Sequence, residues 1–244
     1  ISDKPLKMKF LIIIPARMKS SRLPGKPLID LKGKSMIERT FLQCRKVISI
    51  KNIYIATEDK EILEHCKKKG IPCLMTKKGA KTGTDRVIEI AKKIKSKIYI
   101  NLQGDEPMFN PKDLRRFLNI SVKNLNNIII GYTKIKSEKE YFSRDTVKIV
   151  FDKENYAMYL SRAPIPSNKN SLFKSAYRQV GIYSYPRKEL LNIKNKKSYF
   201  EKFEDIEIIR FMENGKKIKT VALSDSSISV DTQKDVSEVL KKLR

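Results

Sequence analysis

The chain has 244 residues, 40% of them hydrophobic and 8% aromatic, with 53 Lys and Arg against 27 Asp and Glu for a formal net charge of +26. That length allows one large α/β domain or two small ones with a substantial core. The composition contains no apolar run near the roughly 18 residues a membrane helix needs, so no membrane insertion is expected.

The order of elements begins with "KFLIIIPA" (9–16), a continuous apolar run of strand length. It passes straight into a basic loop rather than a cleavage site, so it does not read as a signal peptide. "SMIERTFLQCRKVI" (35–48) follows, with Ile37, Phe41, Cys44 and Ile48 at helical spacing. "NIYIAT" (52–57) reads as a strand, "DKEILEHCKKKG" (59–70) as a helix closed by Gly70, and "IPCLMT" (71–76) as a strand. "GTDRVIEIAKKI" (83–94) is helical, "SKIYINLQ" (96–103) a strand, "PKDLRRFLNI" (111–120) a helix with proline near its start, and "NIIIGYTKI" (127–135) a strand. Near-continuous apolar strands alternating with helices predict a parallel sheet covered on both faces.

From about residue 135 the pattern changes. "TVKIVFD" (146–152), "YAMYLSR" (156–162) and "QVGIYSYP" (179–186) are β-rich and close together, which predicts a hairpin-like excursion from the sheet. "FEDIEIIRFMENG" (203–215) then reads as a helix, "KIKTVAL" (217–223) as a strand and "TQKDVSEVLKKL" (232–243) as a last helix. No low-complexity linker interrupts the chain. The expectation is a single domain over 1–244, with a β-rich subregion at about 135–190.

In parallel α/β sheets, ligands gather at the carboxyl ends of the strands. Three polar segments belong there: "ARMKSSR" after the first strand, "TED" after the second and "QGDEP" after "KIYIN". The first carries Arg17, Lys19, Arg22 and, a little further on, Lys26, four cations that repel one another unless an anion sits among them. Guanidinium forks, ammonium groups and loop N–H groups suit polyphosphate oxygens. The loop is neither G-x-x-x-x-G-K-[ST] nor G-x-G-x-x-G, since Gly25 is the only glycine between residues 12 and 28. A solvated basic loop is the bland alternative.

"QGDEP" supplies Asp105 and Glu106 beyond a strand, and "SISVDT" supplies Asp231 beyond another apolar stretch. A Mg²⁺ ion prefers few carboxylates together with phosphates and waters, so a pair of such aspartates could bridge a metal to a triphosphate. Each also has a helix-cap alternative: Asp105 or Glu106 before the helix after Pro107, and Asp231 or Thr232 before the last helix. The single histidine, His65, reads as an exposed residue of a surface helix. Cys44, Cys66 and Cys73 match no zinc pattern and read as free thiols of a reducing cytosol. The excess charge is mostly lysine, scattered without repeats or aromatic interleaving, which reads as a solvated surface rather than a nucleic-acid site; a nucleic-acid-binding protein is the different-class alternative.

Together, "PARMKSSRLPGKPL", "TGTDR", "INLQGDEP", "YLSRAPIP" and "ISVDT", in this order, resemble the motifs of the 3-deoxy-manno-octulosonate (Kdo) cytidylyltransferases, the CMP-Kdo synthetase family. The resemblance runs from about Met8 to the C-terminus. It implies a Rossmann-like nucleotidyltransferase fold, mainly parallel, and transfer of CMP from CTP to Kdo with release of diphosphate, for lipopolysaccharide synthesis. Another ulosonic acid, an 8-amino Kdo or a nonulosonic acid, is the same-class alternative. It further implies a cytoplasmic homodimer formed through the β subregion. By the family pattern Arg17 and Lys26 hold the triphosphate, with Arg22 assisting. Ala16, Thr82, Gly83, Arg86 and Gln103 line the nucleotide side, and Asp105 and Asp231 bind Mg²⁺. Arg162, Gln179, Tyr183 and Glu207 face the sugar acid. Two positions depart from the pattern: Gln179 stands where histidine is usual and Ile208 where glutamine is usual. Both changes are expected to weaken acceptor contacts, so that Gln179→His with Ile208→Gln should lower the Michaelis constant for Kdo.

Overall fold

The computed structural model describes residues 9–170, 172–194, 196–224 and 227–243. Its first half alternates strand and helix: β1 (Phe10–Pro15), α1 (Met36–Arg45), β2 (Ile53–Thr57), α2 (Lys60–Lys68), β3 (Cys73–Met75), α3 (Gly83–Lys93), β4 (Ile98–Leu102), α4 (Pro111–Lys123) and β5 (Ile128–Lys134). The remainder runs α5 (Glu138–Phe142), β6 (Lys148–Phe151), β7 (Ala157–Ser161), β8 (Tyr177–Pro186), α6 (Arg187–Asn192), α7 (Tyr199–Glu204), α8 (Ile209–Glu213), β9 (Ile218–Ala222) and α9 (Gln233–Lys242).

The main sheet has the order β3-β2-β1-β4-β8-β5-β9. β1 pairs in parallel with β2 and β4, β2 with β3, and β5 with β9. β1 is buried along its whole length because its two faces enter two different cores. Phe10, Ile12 and Ile14 pack with Phe41 and Cys44 of α1, Ile62 of α2 and Phe117 of α4. Leu11 and Ile13 pack on the other side with Val87 and Ile90 of α3, Leu190 of α6 and Phe211 of α8. This two-sided burial is why the strand reads as an unbroken apolar run.

The β-rich stretch is only partly an excursion. β8 enters the centre of the sheet antiparallel to both β4 and β5, with Tyr183 opposite Asn101 and Ile130. Only the β6–β7 hairpin leaves the main path of the sheet, branching from the start of β8 through Lys148 and Ile149. Strand direction is invisible to hydrophobic pattern alone, so a reversed central strand reads like any other.

Two further expectations are corrected. The 203–215 segment is not one helix: α7 ends at Glu204, Asp205 is left-handed (φ 50°), and α8 begins at Ile209. The break lets Arg210 enter a buried ion-pair group with Glu201 and Asp85 while Glu207 turns to other partners. The stretch before Asp231 is not a ladder strand either. Val230 packs with Leu23 of the opening loop and Val236 and Val239 of α9, in a separate core that ties the C-terminal helix to that loop. His65 is half-buried and shares a hydrogen bond with Ser35 Oγ (2.8 Å), so it is not the freely exposed histidine expected.

Candidate active site

The opening loop is held from both ends. Its Ala16 N–H extends the β1 ladder onto Ala56 (2.9 Å), and Met18 N–H donates to Asp59 Oδ2 (2.8 Å). Asp59 precedes α2 but makes no side-chain cap, because its carboxylate is spent on this loop. Gly25 is left-handed (φ 68°), which lets its N–H return to Met18 O (3.1 Å) and swings Lys26 inward. The "TED" segment therefore supports the site from behind: Asp59 fixes the loop and Glu58 pairs with Arg86 (3.0 Å).

These segments border a cleft of about 1340 Å³. That exceeds the roughly 300–1,000 Å³ of a single small-molecule pocket, and leaves room for a nucleotide and a second reactant together. Each site residue expected from the sequence, Ala16 and Arg17 through Glu207 and Asp231, lines this one cavity.

On one wall, Lys26 Nζ donates to Asp105 Oδ2 (2.7 Å) and Asp231 Oδ1 (3.0 Å). Burial opposes the charge of Lys26, but the two aspartates outweigh it and hold its pKa above that of an ordinary lysine. Neither aspartate is a helix cap. The helix after "GDEP" starts at Pro111 with Asn110 as its cap, and Thr232 caps α9 in a reciprocal box with Asp235. Arg22 completes this wall, pairing with Asp231 (3.0 Å) and with Asp145 from across the cleft. Arg17 is exposed at the mouth.

The neighbouring wall is the start of α3. Thr82 caps the helix in a box with Asp85. A Cβ on Gly83 would lie 2.9 Å from Pro15 Cγ and 3.0 Å from Gln103 Nε2, so only glycine permits this approach. Arg86 is almost wholly buried, and its guanidinium also donates to the Ala80 and Thr82 carbonyls (3.4 and 3.3 Å). It shapes this wall from within. Burial lowers its pKa, Glu58 opposing that fall.

On the third side Glu207 accepts from Gln103 Nε2 (2.6 Å) and from the Thr84 N–H (2.8 Å). Burial raises its pKa against the hydrogen bonds from Thr84. Gln179 Nε2 donates to Tyr183 Oη (3.1 Å), while Gln179 Oε1 is buried without a hydrogen-bond partner among the described residues. Arg162 lies at the edge, with its guanidinium spent on main-chain carbonyls of Glu204 (2.7 Å), Arg144 (3.0 Å) and Asp205 (3.2 Å). Ile208 is fully buried in the apolar core beside Phe211 and does not reach the cleft. The expectation that a glutamine at position 208 would regain an acceptor contact is therefore corrected.

One cleft residue carried no clear sequence signal: Asp145 sits in an unremarkable polar turn. Glu106, which the sequence offered beside Asp105 without a site role, is buried and accepts from Ser227 Oγ and the Gly181 N–H (3.4 Å). Burial, reinforced by Asp105, pushes its pKa up to about 7.

Comparison with known proteins agrees with this geometry. The Cytidylyltransferase family model matches residues 11–218. The 3-deoxy-manno-octulosonate cytidylyltransferase of Geotalea daltonii is 35% identical over 97% of this chain and 99% of its own length. The Escherichia coli enzyme of the same name is 36% identical over 92% of each chain. A solved CMP:2-keto-3-deoxy-manno-octonic acid synthetase complexed with CTP superposes with a TM-score of 0.88 at 35% identity, covering 96% of this chain and 98% of that one. HddC from Yersinia pseudotuberculosis, at 14% identity and a TM-score of 0.70, shares the fold alone. The chain belongs to the 3-deoxy-manno-octulosonate cytidylyltransferase family of nucleotidyltransferases.

Proposed function

We propose that this chain transfers CMP from CTP to Kdo and releases diphosphate, as a cytoplasmic step of lipopolysaccharide synthesis. The observation that carries this reading is the convergence of Lys26, Arg22, Asp105 and Asp231 on one wall of a cleft large enough for two reactants. Nucleotidyl transfer needs charge neutralisation and in-line positioning more than covalent help from the protein.

In this reading Arg17, Arg22 and Lys26 hold the triphosphate. Ala16, Thr82, Gly83 and Gln103 border the nucleotide, with Arg86 shaping that side. Asp105 and Asp231 fit a Mg²⁺ ion: both reach a single cation, Lys26 Nζ, and two carboxylates leave the remaining positions to phosphate and water. When bound, the metal would polarise the α-phosphate and lower the pKa of the attacking anomeric hydroxyl. Lys26, whose ammonium lies between the two aspartates, would supply a cation to the phosphate oxygens on the same wall. Gln179, Tyr183 and Glu207 face the sugar acid, Glu207 by way of Gln103.

A homodimer through the β subregion is part of the same reading. Among the described residues, the exposed large hydrophobics are Phe142, Met158, Leu172, Tyr199, Phe200 and Phe203, all in or just after that subregion. Exposed apolar side chains of this kind support the reading, since contiguous apolar patches are where partners dock. The three cysteines are free thiols, which suits a reducing compartment.

The decisive experiment is diphosphate release with CTP and a panel of ulosonic acids. Release with CTP and Kdo, exceeding that with 8-amino Kdo or a nonulosonic acid, is the expected result. Release with another acid and none with Kdo would replace the acceptor; none with any acid would overturn the reading.

A further inference from the structure

Lys148, the first residue of β6, is fully buried between β7 and β8. Its ammonium donates to three main-chain carbonyls: Ser143 (2.7 Å), Thr146 (2.8 Å) and Arg162 (2.7 Å). Three donors meet three acceptors, a match that no neutral side chain of that length supplies. The acceptors are not scattered. Ser143 and Thr146 flank Arg144 and Asp145, and Arg162 directly follows the last residue of β7. The Arg162 guanidinium in turn donates to the Arg144 carbonyl and to those of Glu204 and Asp205 (2.7–3.2 Å). Two cations thus hold the carbonyls of residues 143, 144 and 146, leaving the side chains of Arg144 and Asp145 to face the cleft.

We infer that Lys148 is a positioning residue for the acceptor side: its ammonium fixes the 143–146 loop against the end of β7, so that this wall is formed before the sugar acid arrives. The inference rests on the cytidylyl-transfer reading for which reactant meets this wall. The Asp145–Arg22 contact links the loop to the triphosphate wall, but it is largely exposed and contributes little by itself. The acceptor should therefore feel the loss of Lys148 more than CTP does.

A wall misplaced by about 1 Å can cost up to about a hundredfold in rate. For Lys148→Met we expect about a tenfold rise in KM for Kdo, KM for CTP within about twofold, and recovery in Lys148→Arg. A side chain that served only packing would lower the melting temperature and the active fraction without splitting the two Michaelis constants. Unchanged KM for Kdo in folded Lys148→Met overturns the inference.

A second arm uses the native chain, so that a variant that does not fold leaves the question decidable. Burial, with the Arg144 and Arg162 guanidiniums, brings the Lys148 pKa down to about 8, against the pull of Glu204 and Glu140. The neutral amine keeps two N–H donors for three carbonyls. KM for Kdo should climb between pH 7 and 9.5 while KM for CTP stays level, and Lys148→Arg should abolish the climb. A level profile for Kdo in the native chain counts against Lys148. If the native chain releases no diphosphate with any acid, the proposed function fails. Hydrogen exchange then decides the positioning role separately: protection factors at residues 143–147, corrected for the base-catalysed intrinsic rate at each pH, must fall with rising pH in the native chain while those of α1 hold, and unchanged protection factors overturn it.

Discussion

The Val230 N–H donates to the Asp105 carbonyl across 2.9 Å, joining by one main-chain bond the two segments that carry Asp105 and Asp231. Residues more than a hundred positions apart are thereby held at a separation that one ammonium spans. Asp231→Asn and Asp105→Asn keep the shape of each side chain and touch little core. Each should lower Mg²⁺-dependent turnover by at least about a hundredfold, the scale of removing one charge-stabilising group, with an unchanged far-ultraviolet spectrum. Native turnover in either purified variant would remove that aspartate from the metal site.

The buried group of Arg210, Glu201 and Asp85 makes a different prediction, about stability. Arg210 donates to both Glu201 oxygens (2.8 Å each) and to Asp85 (2.7 Å), and all three side chains are at most 5% exposed. Asp85 also closes the cap of α3, whose Thr82 and Gly83 line the cleft. Replacing Arg210 with Met strands two carboxylates in the interior. Breaking such a buried group costs about 3–5 kcal/mol, to be read as a lower urea midpoint. A midpoint equal to the native one would mean that the carboxylates take up protons or water at little cost.

Much of the cleft lining was legible in the sequence because it follows strand ends, where periodicity stops and polar chemistry starts. Arg22 and Lys26 after β1 and Asp105 after β4 are of this kind; Asp231 was found too, although the stretch before it is not a strand. The wall proposed for the acceptor was less so, for a physical reason. It is built by the reversed strand β8, the broken helix at Asp205 and the 143–146 loop, and each depends on contacts distant in sequence. Ile208 illustrates the limit. Alignment to a pattern places a residue in order, but only packing tells which way its side chain points.

Glu106 links the site to pH. Its pKa is raised from about 4.5 to about 7, so between those values the folded chain holds a proton that the unfolded chain has released. Stability from this group is therefore greatest below about pH 4.5 and falls as pH rises towards 7, by about 3 kcal/mol at most. Glu106→Gln cannot titrate, although it also changes the contacts to Ser227 and Gly181. Those changes offset its stability by a constant amount; the slope is the readout. In metal-free buffer the native-minus-variant difference should decline from pH 5 to 8. A difference independent of pH would mean that Glu106 ionises in both states alike.

Gln179 and Ile208 can now be separated. Gln179 Oε1 is buried beside Tyr183, in the cleft, without a partner among the described residues, whereas Ile208 lies wholly within the core. Gln179→His can keep one ring nitrogen for Tyr183 and present the other to an acceptor hydroxyl. A gained hydrogen bond of about 0.5–1.5 kcal/mol would lower KM for Kdo roughly two- to tenfold, leaving that for CTP alone. Ile208→Gln instead buries an amide among Tyr185, Leu190 and Phe211. It should cost about 1–3 kcal/mol of stability and change neither Michaelis constant. The pair therefore should behave as Gln179→His in kinetics and as Ile208→Gln in urea. A double variant with a lower KM for Kdo than Gln179→His alone would place residue 208 in contact with the acceptor, and the core packing described for it would then be wrong.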